Sequence, residues 1–393
     1  MNVAVPPPNV PSTPLSRYRL LSPTAAVRVS PLCLGSMNFG DACPREKGGA
    51  YRLIVTGLNG WENAINTPRS ESSISFMNNY QFEQSEAWIG EWMKKRGNRD
   101  QMVIATKYST NFKAGPNQPC IMANYVGNGT KSLNNSVNAS LEKLQTNYID
   151  ILYVHWWDFS ASVPEVMQSL NQLVSSGKVL YLGISDTPAW IVSKANEYAR
   201  SHGLRQFSVY QGRWSASCRD LERDVIPMCV AEGMGITSWG SLGGGNFKSE
   251  ESRKGNEGRK SQASETDVTI SLALETIASR KNTAITSIAL AYVMHKTPYV
   301  FPVVGGRRIE HLKGNIEALT IELSPEDVEE IESAVPFDLG FPHNFLWGGN
   351  QLPKSFQDTW LLSTAGTFDH VENTKVCLTD VRVPSLGPNE LSM

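Results

Sequence analysis

IDILYVHWW, residues 149–157, is apolar or aromatic on successive positions apart from Asp150 until it reaches His155. A strand covered by helices on both faces of a parallel sheet reads this way, whereas a strand with one wet face alternates. Working outward, the same signature returns in VRVSPLCLGSM (27–37), MVIATKY (102–108), KVLYLGISD (178–186), FSVYQGRW (207–214), MGITSWGSL (234–242) and YVFPVVGG (299–306). Amphipathic stretches separate these runs. In SEAWIGEWMKKR (85–96), Trp88, Ile89, Trp92 and Met93 share one helical face, a stripe that ordinarily means core packing. SLEKLQTNY (140–148), PEVMQSLNQLVSSG (164–177), TPAWIVSKANEYARSHG (187–203) and DLERDVIPMCVAEG (220–233) read as helices too. LSPEDVEEIESA (323–334) carries a start signal: Ser324 as N-cap, Pro325 at the first helical position and Asp327 placed to reach back to the cap.

Strand–helix units repeated over about 300 residues predict an α/β fold, a (β/α)8 TIM barrel, with a doubly wound sheet as the alternative. No GxGxxG follows the first apolar run, which speaks against the second. The organisation expected is a disordered Pro-rich N-terminus over 1–17, a barrel over 18–345 and a polar, aperiodic tail over 346–393. One segment breaks the rhythm. Within 42–77, Gly48, Gly49, Gly57 and Gly60 interrupt any helical pattern and SESSIS is too polar for an inner strand, so the first helix and second strand are not legible there. A Gly-rich then charged stretch at 243–267 follows a strand directly, where barrels keep ligand-covering loops.

Composition narrows the function. With 36 Lys+Arg against 38 Asp+Glu the net charge is −2, which lacks the cationic excess that nucleic-acid binding needs. The six cysteines form no CxxC and read as reduced thiols of a cytoplasmic protein; neither a disulfide framework nor a metal site is expected. The N-terminus has no signal-like apolar core, and no run reaches membrane-spanning length.

In a barrel, polar groups at C-terminal strand ends face the active site. Lys107 ends MVIATK, His155 ends ILYVH, and Tyr80 in NNYQFEQSE precedes a helix. Taken singly, each has a plain structural reading: a solvated Lys, a satisfied core His, a packing Tyr. Three proton-handling groups at equivalent ends of different strands argue jointly for chemistry.

These stretches, together with LCLGSMNFGD, LGISDTPAWIVSKAN, VYQGRWSASCRDLERDVIPMC, GITSWGSLGGG and FPVVGGRRIEHLKGNIEAL, resemble the aldo-keto reductases, and among them the fungal aryl-alcohol-dehydrogenase-like branch that includes norsolorinic acid reductases. The likeness spans roughly 30–41 and 78–345. It implies a barrel that reduces a small-molecule carbonyl with NADP(H), here an aryl aldehyde, ketone or polyketide-like intermediate of fungal secondary metabolism such as mycotoxin biosynthesis. By the same resemblance Tyr80 is the proton donor, Lys107 the cation that makes it a better acid, and His155 the group that orients the carbonyl. Ser185, Asp186 and Gln211 match the residues that hold the nicotinamide carboxamide, and Trp239 the aromatic ring stacked on it; Asp186 replaces the commoner Asn. Gly240 and Ser241 belong to the same cofactor segment, and the loop from Leu242 through Gly243, Gly244 and Gly245 matches the one that offers amides to the pyrophosphate. Gly305, Arg307, Arg308, His311 and Asn315 match the adenine and 2'-phosphate segment, where paired arginines favour NADPH. Trp156, Trp157, Trp214, Phe345 and Trp347 are candidates for an aromatic substrate pocket or for packing. The pattern departs at Ser75, which stands where the family has a catalytic Asp. The alternative function is therefore a catalytically impaired NADP-binding homologue.

Overall fold

The computed structural model describes residues 13–37, 73–75, 82–115, 121–254, 263–305, 309–348 and 358–367, with backbone only at 73–75, 254, 309 and 363. The chain forms two compact units, Met1–Phe337 and Asp338–Met393. In the second, Trp360 donates from its indole to the Phe345 carbonyl at 2.7 Å, joining the short helices His343–Trp347 and Trp360–Ser363.

In the first unit, β1 (Arg19–Ser22) and β2 (Ala25–Val29) pair as an antiparallel hairpin. β3 (Cys33–Gly35), β4 (Ser73–Ser75), β5 (Val103–Tyr108), β6 (Ile149–Val154), β7 (Val179–Ser185), β8 (Phe207–Arg213), β9 (Gly235–Trp239) and β10 (Val303–Val304) form one eight-stranded parallel sheet in the order β10-β3-β4-β5-β6-β7-β8-β9. The segment entering β10 also bonds to β9: Ile236 N–H donates to the Tyr299 carbonyl and Phe301 N–H to the Ile236 carbonyl, each at 2.8 Å.

Two expectations need correction. The second strand, illegible in the sequence, exists: Ser73, Ile74 and Ser75 align with Cys33, Leu34 and Gly35 on one side and with Val103, Ile104 and Ala105 on the other. Parallel pairing is made by main-chain groups, so a strand of three residues between two partners does not need an apolar run. The expected first helix falls within 38–72, outside the described residues. At the N-terminus, residues 1–12 are likewise outside them, but Pro14–Ser16 form a 3-10 turn instead of the disorder expected there. A reciprocal Thr13–Ser16 cap closes the turn and Leu15 is buried against the cluster of Leu32, Ile89 and Leu312.

Helices Gln84–Arg96, Val163–Ser175, Ala189–Ser201 and Pro325–Ala334 follow the expected stretches; the one expected at 140–148 instead spans Thr130–Leu144, and the one at 220–233 is a 3-10 turn, Asp220–Glu222, followed by the helix Val225–Ala231. Ser324 makes the expected capping box, accepting from Asp327 N–H at 3.2 Å while the Asp327 carboxylate accepts from Ser324 N–H at 3.1 Å. Their apolar faces cover one side of the sheet, where Leu152, Val154, Leu182, Ile184, Tyr210 and Ile236 belong to the largest core cluster. The other side carries the alternate residues Ala105, Ile151, Tyr153 and Val209, packed with Leu21, Ala25 and Val29 of the hairpin and with Phe301. The unbroken runs thus conceal a strict alternation between two apolar faces, and the hairpin seals the N-terminal end of the inner one.

Candidate active site

Following the inner face towards the C-terminal strand ends, hydrocarbon gives way to polar groups. The register aligns Lys107 with Tyr153 and Tyr153 with Gly183; one step further, Ser185 aligns with Gln211 and Gln211 with Thr237. His155 follows directly on β6. Strand pairing therefore gathers Lys107, His155, Ser185, Gln211 and Thr237 from five neighbouring strands.

Lys107 is 3% exposed, and its ammonium lies 5.3 Å from the centroid of the Tyr153 ring. Burial pulls its pKa down to about 8, against the opposing fields of Cys33 and Asp186. His155 is pulled to about 3, first by burial and then by the Lys107 charge, so its imidazole is neutral at physiological pH. Tyr153 crosses the interior: its hydroxyl lies 3.2 Å from Thr237 Oγ1, which also accepts from Gln211 Nε2 at 3.0 Å. A Cβ at Gly183 would meet the Tyr153 ring at 2.5 Å, so only glycine at 183 leaves room for that crossing.

Beyond β7, Asp186 adopts a left-handed backbone (φ 42°) and accepts from Ser185 Oγ at 3.1 Å and Trp239 Nε1 at 3.2 Å. Burial pushes its carboxyl upward, with those two donors and Lys107 opposing. The indole of Trp239, 38% exposed, is thereby tethered with its ring towards solvent. After β9, Gly240, Gly243 and Gly244 all have positive φ (75°, 62° and 65°), a run that side chains resist. The turn uses two of its own amides: Gly243 N–H donates to the Gly240 carbonyl at 2.8 Å and Gly245 N–H to the Leu242 carbonyl at 3.0 Å. Ser241 is buried and bonds to Ser238 Oγ at 2.8 Å.

Gly305, exposed, follows β10, and the helix Ile309–Glu317 presents His311 to solvent and buries Asn315. Asn315 Nδ2 is a buried donor with no hydrogen-bond partner among the described residues, a state that ordinarily costs about 1–3 kcal/mol and suits a site that a ligand completes. Ser75 lies in β4, aligned with Ala105 two residues before Lys107. Tyr80, Arg307 and Arg308 lie outside the described residues. Of the aromatic candidates, Trp157 and Trp214 are core, the latter fully buried and donating to Glu222 at 3.1 Å, while Trp156 sits beside His155 and donates to Thr110 at 3.0 Å. Thr110, Tyr153 and Thr237 were not singled out in the sequence; the only signal was the period-two spacing of Tyr153 from His155 and of Thr237 from Trp239, and Thr110 carried none.

The pattern of the aldo/keto reductase family matches residues 31–336. The chain belongs to that family. It is 54% identical over 376 residues to norsolorinic acid reductase B of Dothistroma septosporum, covering 91% of this chain and 93% of that protein. Norsolorinic acid reductase B of Aspergillus parasiticus is 49% identical, covering 92% and 97%. The aryl-alcohol dehydrogenase (NADP(+)) of Phanerodontia chrysosporium is 46% identical, covering 89% and 94%. This aldo/keto reductase is an oxidoreductase by membership, and an α/β protein with a parallel sheet by structure. Among the described residues no helix is long and apolar enough to cross a membrane, and no cluster of His, Cys, Asp and Glu could hold a metal ion.

Proposed function

We propose that the protein is an NADPH-dependent carbonyl reductase built on a closed (β/α)8 barrel, acting on an aryl aldehyde or ketone or a polyketide-like intermediate. The observation that carries the reading is the pair of a buried cation, Lys107, and a neutral imidazole, His155, at the C-terminal ends of adjacent strands. Closure is supported by the bonds between β9 and the segment entering β10.

NADPH, when bound, supplies hydride to the carbonyl carbon. The chain's own groups manage the proton and the geometry. Lys107, cationic below about pH 8, would lower the pKa of the Tyr80 phenol and so ease proton delivery to the developing alkoxide. His155, neutral, donates a hydrogen bond to the substrate oxygen instead of competing as an acid. Ser185, Asp186 and Gln211 would hold the carboxamide, with Trp239 against the ring. Because Gly243 and Gly245 spend their amides within the turn, the amides of Leu242 and Gly244 fall to the pyrophosphate. Asn315, with its unused donor, fits the adenine, and Arg307 and Arg308 fit the 2'-phosphate. The name of the Phanerodontia relative supports NADP, and those of the norsolorinic acid reductases support a role in secondary metabolism. The thiols of Cys218 and Cys229, outside any disulfide, suit a reducing compartment such as the cytoplasm.

NADPH oxidation followed against a panel of aromatic aldehydes and ketones tests this. Turnover with NADPH exceeding that with NADH is expected; tight NADPH binding with no turnover on any carbonyl would sink it. A second reading, impaired catalysis, rests on Ser75 aligned beside the strand of Lys107. There Ser75→Asp would raise turnover at unchanged NADPH affinity, and no gain would dismiss that reading.

A further inference from the structure

One question is left open by a neutral His155: which ring nitrogen keeps the proton. A neutral imidazole has one N–H, and only the Nε2–H form leaves a donor facing away from a partner on Nδ1. The partner on Nδ1 is Thr110 Oγ1, at 2.6 Å. Distance alone does not say which of the two donates.

The neighbour decides. Trp156 Nε1 lies 3.0 Å from the same Thr110 oxygen, and an indole N–H can only donate. Thr110 therefore accepts on one lone pair from Trp156, and its own proton finds no acceptor among the described residues other than His155 Nδ1. Donation to Nδ1 uses every group; the reverse arrangement would strand a part-buried hydroxyl proton.

The backbone is bent to make this contact. Ser109, immediately before Thr110, has φ 99°, a left-handed value that costs a non-glycine residue about 1–3 kcal/mol. The distortion is held from three sides: Asn128 Nδ2 donates to Ser109 Oγ at 2.8 Å, Gly127 N–H to the Ser109 carbonyl at 2.8 Å, and His155 N–H to Ser109 Oγ at 3.3 Å. Asn128 is itself 1% exposed and locked to the loop after β6, accepting from Asp158 N–H and donating to the Trp156 carbonyl. Loops after β5 and β6 are thus tied so that Thr110 returns over the ring.

We infer that Thr110 is a positioning residue that fixes His155 as the Nε2–H tautomer, with Trp156 orienting the hydroxyl that does so. The catalytic use of that tautomer rests on the reductase reading; the tautomer itself does not.

Two measurements separate these. In 15N NMR of the full-length protein, with the His155 signals assigned by their loss in His155→Gln, the wild type should show a protonated Nε2 and a hydrogen-bonded, unprotonated Nδ1. Thr110→Val should shift His155 towards Nδ1–H or a mixture, and Thr110→Ser should keep the wild-type pattern. In steady-state reduction, Thr110→Val should lower kcat by about tenfold, the size of one hydrogen bond, with NADPH affinity unchanged, and Thr110→Ser should recover most of it. A wild-type His155 protonated on Nδ1 overturns the inference, as does Thr110→Val with wild-type tautomer and kcat. If Thr110→Val fails to fold, the wild-type and Thr110→Ser spectra still decide. A tautomer set as described in a protein with no turnover on any carbonyl supports the positioning role and overturns the reductase reading alone.

Discussion

The two ends of the inner sheet face are built from the same strands and do opposite things. At the N-terminal end Leu21, Ala25 and Val29 close over Ala105, Ile151 and Val209, and the hairpin backbone comes so near that a Cβ on Gly235 would meet the Leu21 carbonyl oxygen at 2.2 Å. Two to four residues further on, the same alternation delivers Lys107, His155, Ser185 and Gln211. At the C-terminal end burial is the leading cause of both the Lys107 and the His155 shifts.

The sharpest way to break that division is Lys107→Met. If the C-terminal end is chemical and the N-terminal end structural, turnover falls by at least about a hundredfold, while thermal stability is held or raised, because a poorly solvated charge is replaced by an apolar chain. NADPH oxidation and a melting curve on the same preparation check it; a collapsed Tm with turnover retained per folded molecule would reverse the assignment of the two ends.

The complementary change is Gly235→Val. Its side chain has nowhere to go but into the hairpin backbone, so about 1–3 kcal/mol is lost and Tm drops by about 2–10 °C. Turnover per folded molecule stays at the wild-type level below the transition. Loss of NADPH turnover in a protein that still melts normally would mean that the seal reaches into the site.

pH sharpens the same contrast with opposite signs. Lys107 loses its proton in the folded protein near pH 8 but near the ordinary 10.5 when unfolded. Turnover should therefore fall as pH rises through about 8, as the cation beside the phenol disappears. Across the window from about 8 to 10.5 the unfolded chain binds the extra proton, so this group's contribution to stability rises with pH. Neutral His155, with its pKa near 3, adds no acidic limb at pH 6–7. A turnover limb at pH 6–7 that vanishes in His155→Gln would show the ring to be less buried than this.

What was legible in the sequence divides along the same line. Strands of six or seven residues covered on both faces, such as Val103–Tyr108 and Ile149–Val154, announce themselves as apolar runs, and the capped helix Pro325–Ala334 announces its first turn. Lys107 and His155 stood out because a charge or an imidazole ending such a run contradicts its surroundings. β4 did not, since its three residues are held by main-chain bonds and side-chain patterning says nothing about those. Thr110 was hidden for another reason: a hydroxyl after a strand reads as a loop residue, and its importance lies in a contact across 45 positions to His155. The aromatic residues divided only in three dimensions, Trp214 into the core and Trp156 beside the site, as an indole carries no mark of which neighbours it will meet.

The smallest effect tests the rim of the site. In Trp239→Phe an aromatic face is kept, while the N–H to Asp186, 3.2 Å long and at a partly exposed residue, is removed together with the five-membered part of the indole. A hydrogen bond of that kind contributes about 0.5–1.5 kcal/mol, so KM for NADPH should rise by roughly threefold to tenfold with kcat unchanged. Because that donor opposes the upward push on the Asp186 carboxyl, its loss raises the pKa further, and the rise in KM should be larger at the acidic end of the assay range, where Asp186 is more often neutral. An increase in KM that is the same at every pH would show that the indole acts by ring contact alone and that the carboxylate is no part of its hold.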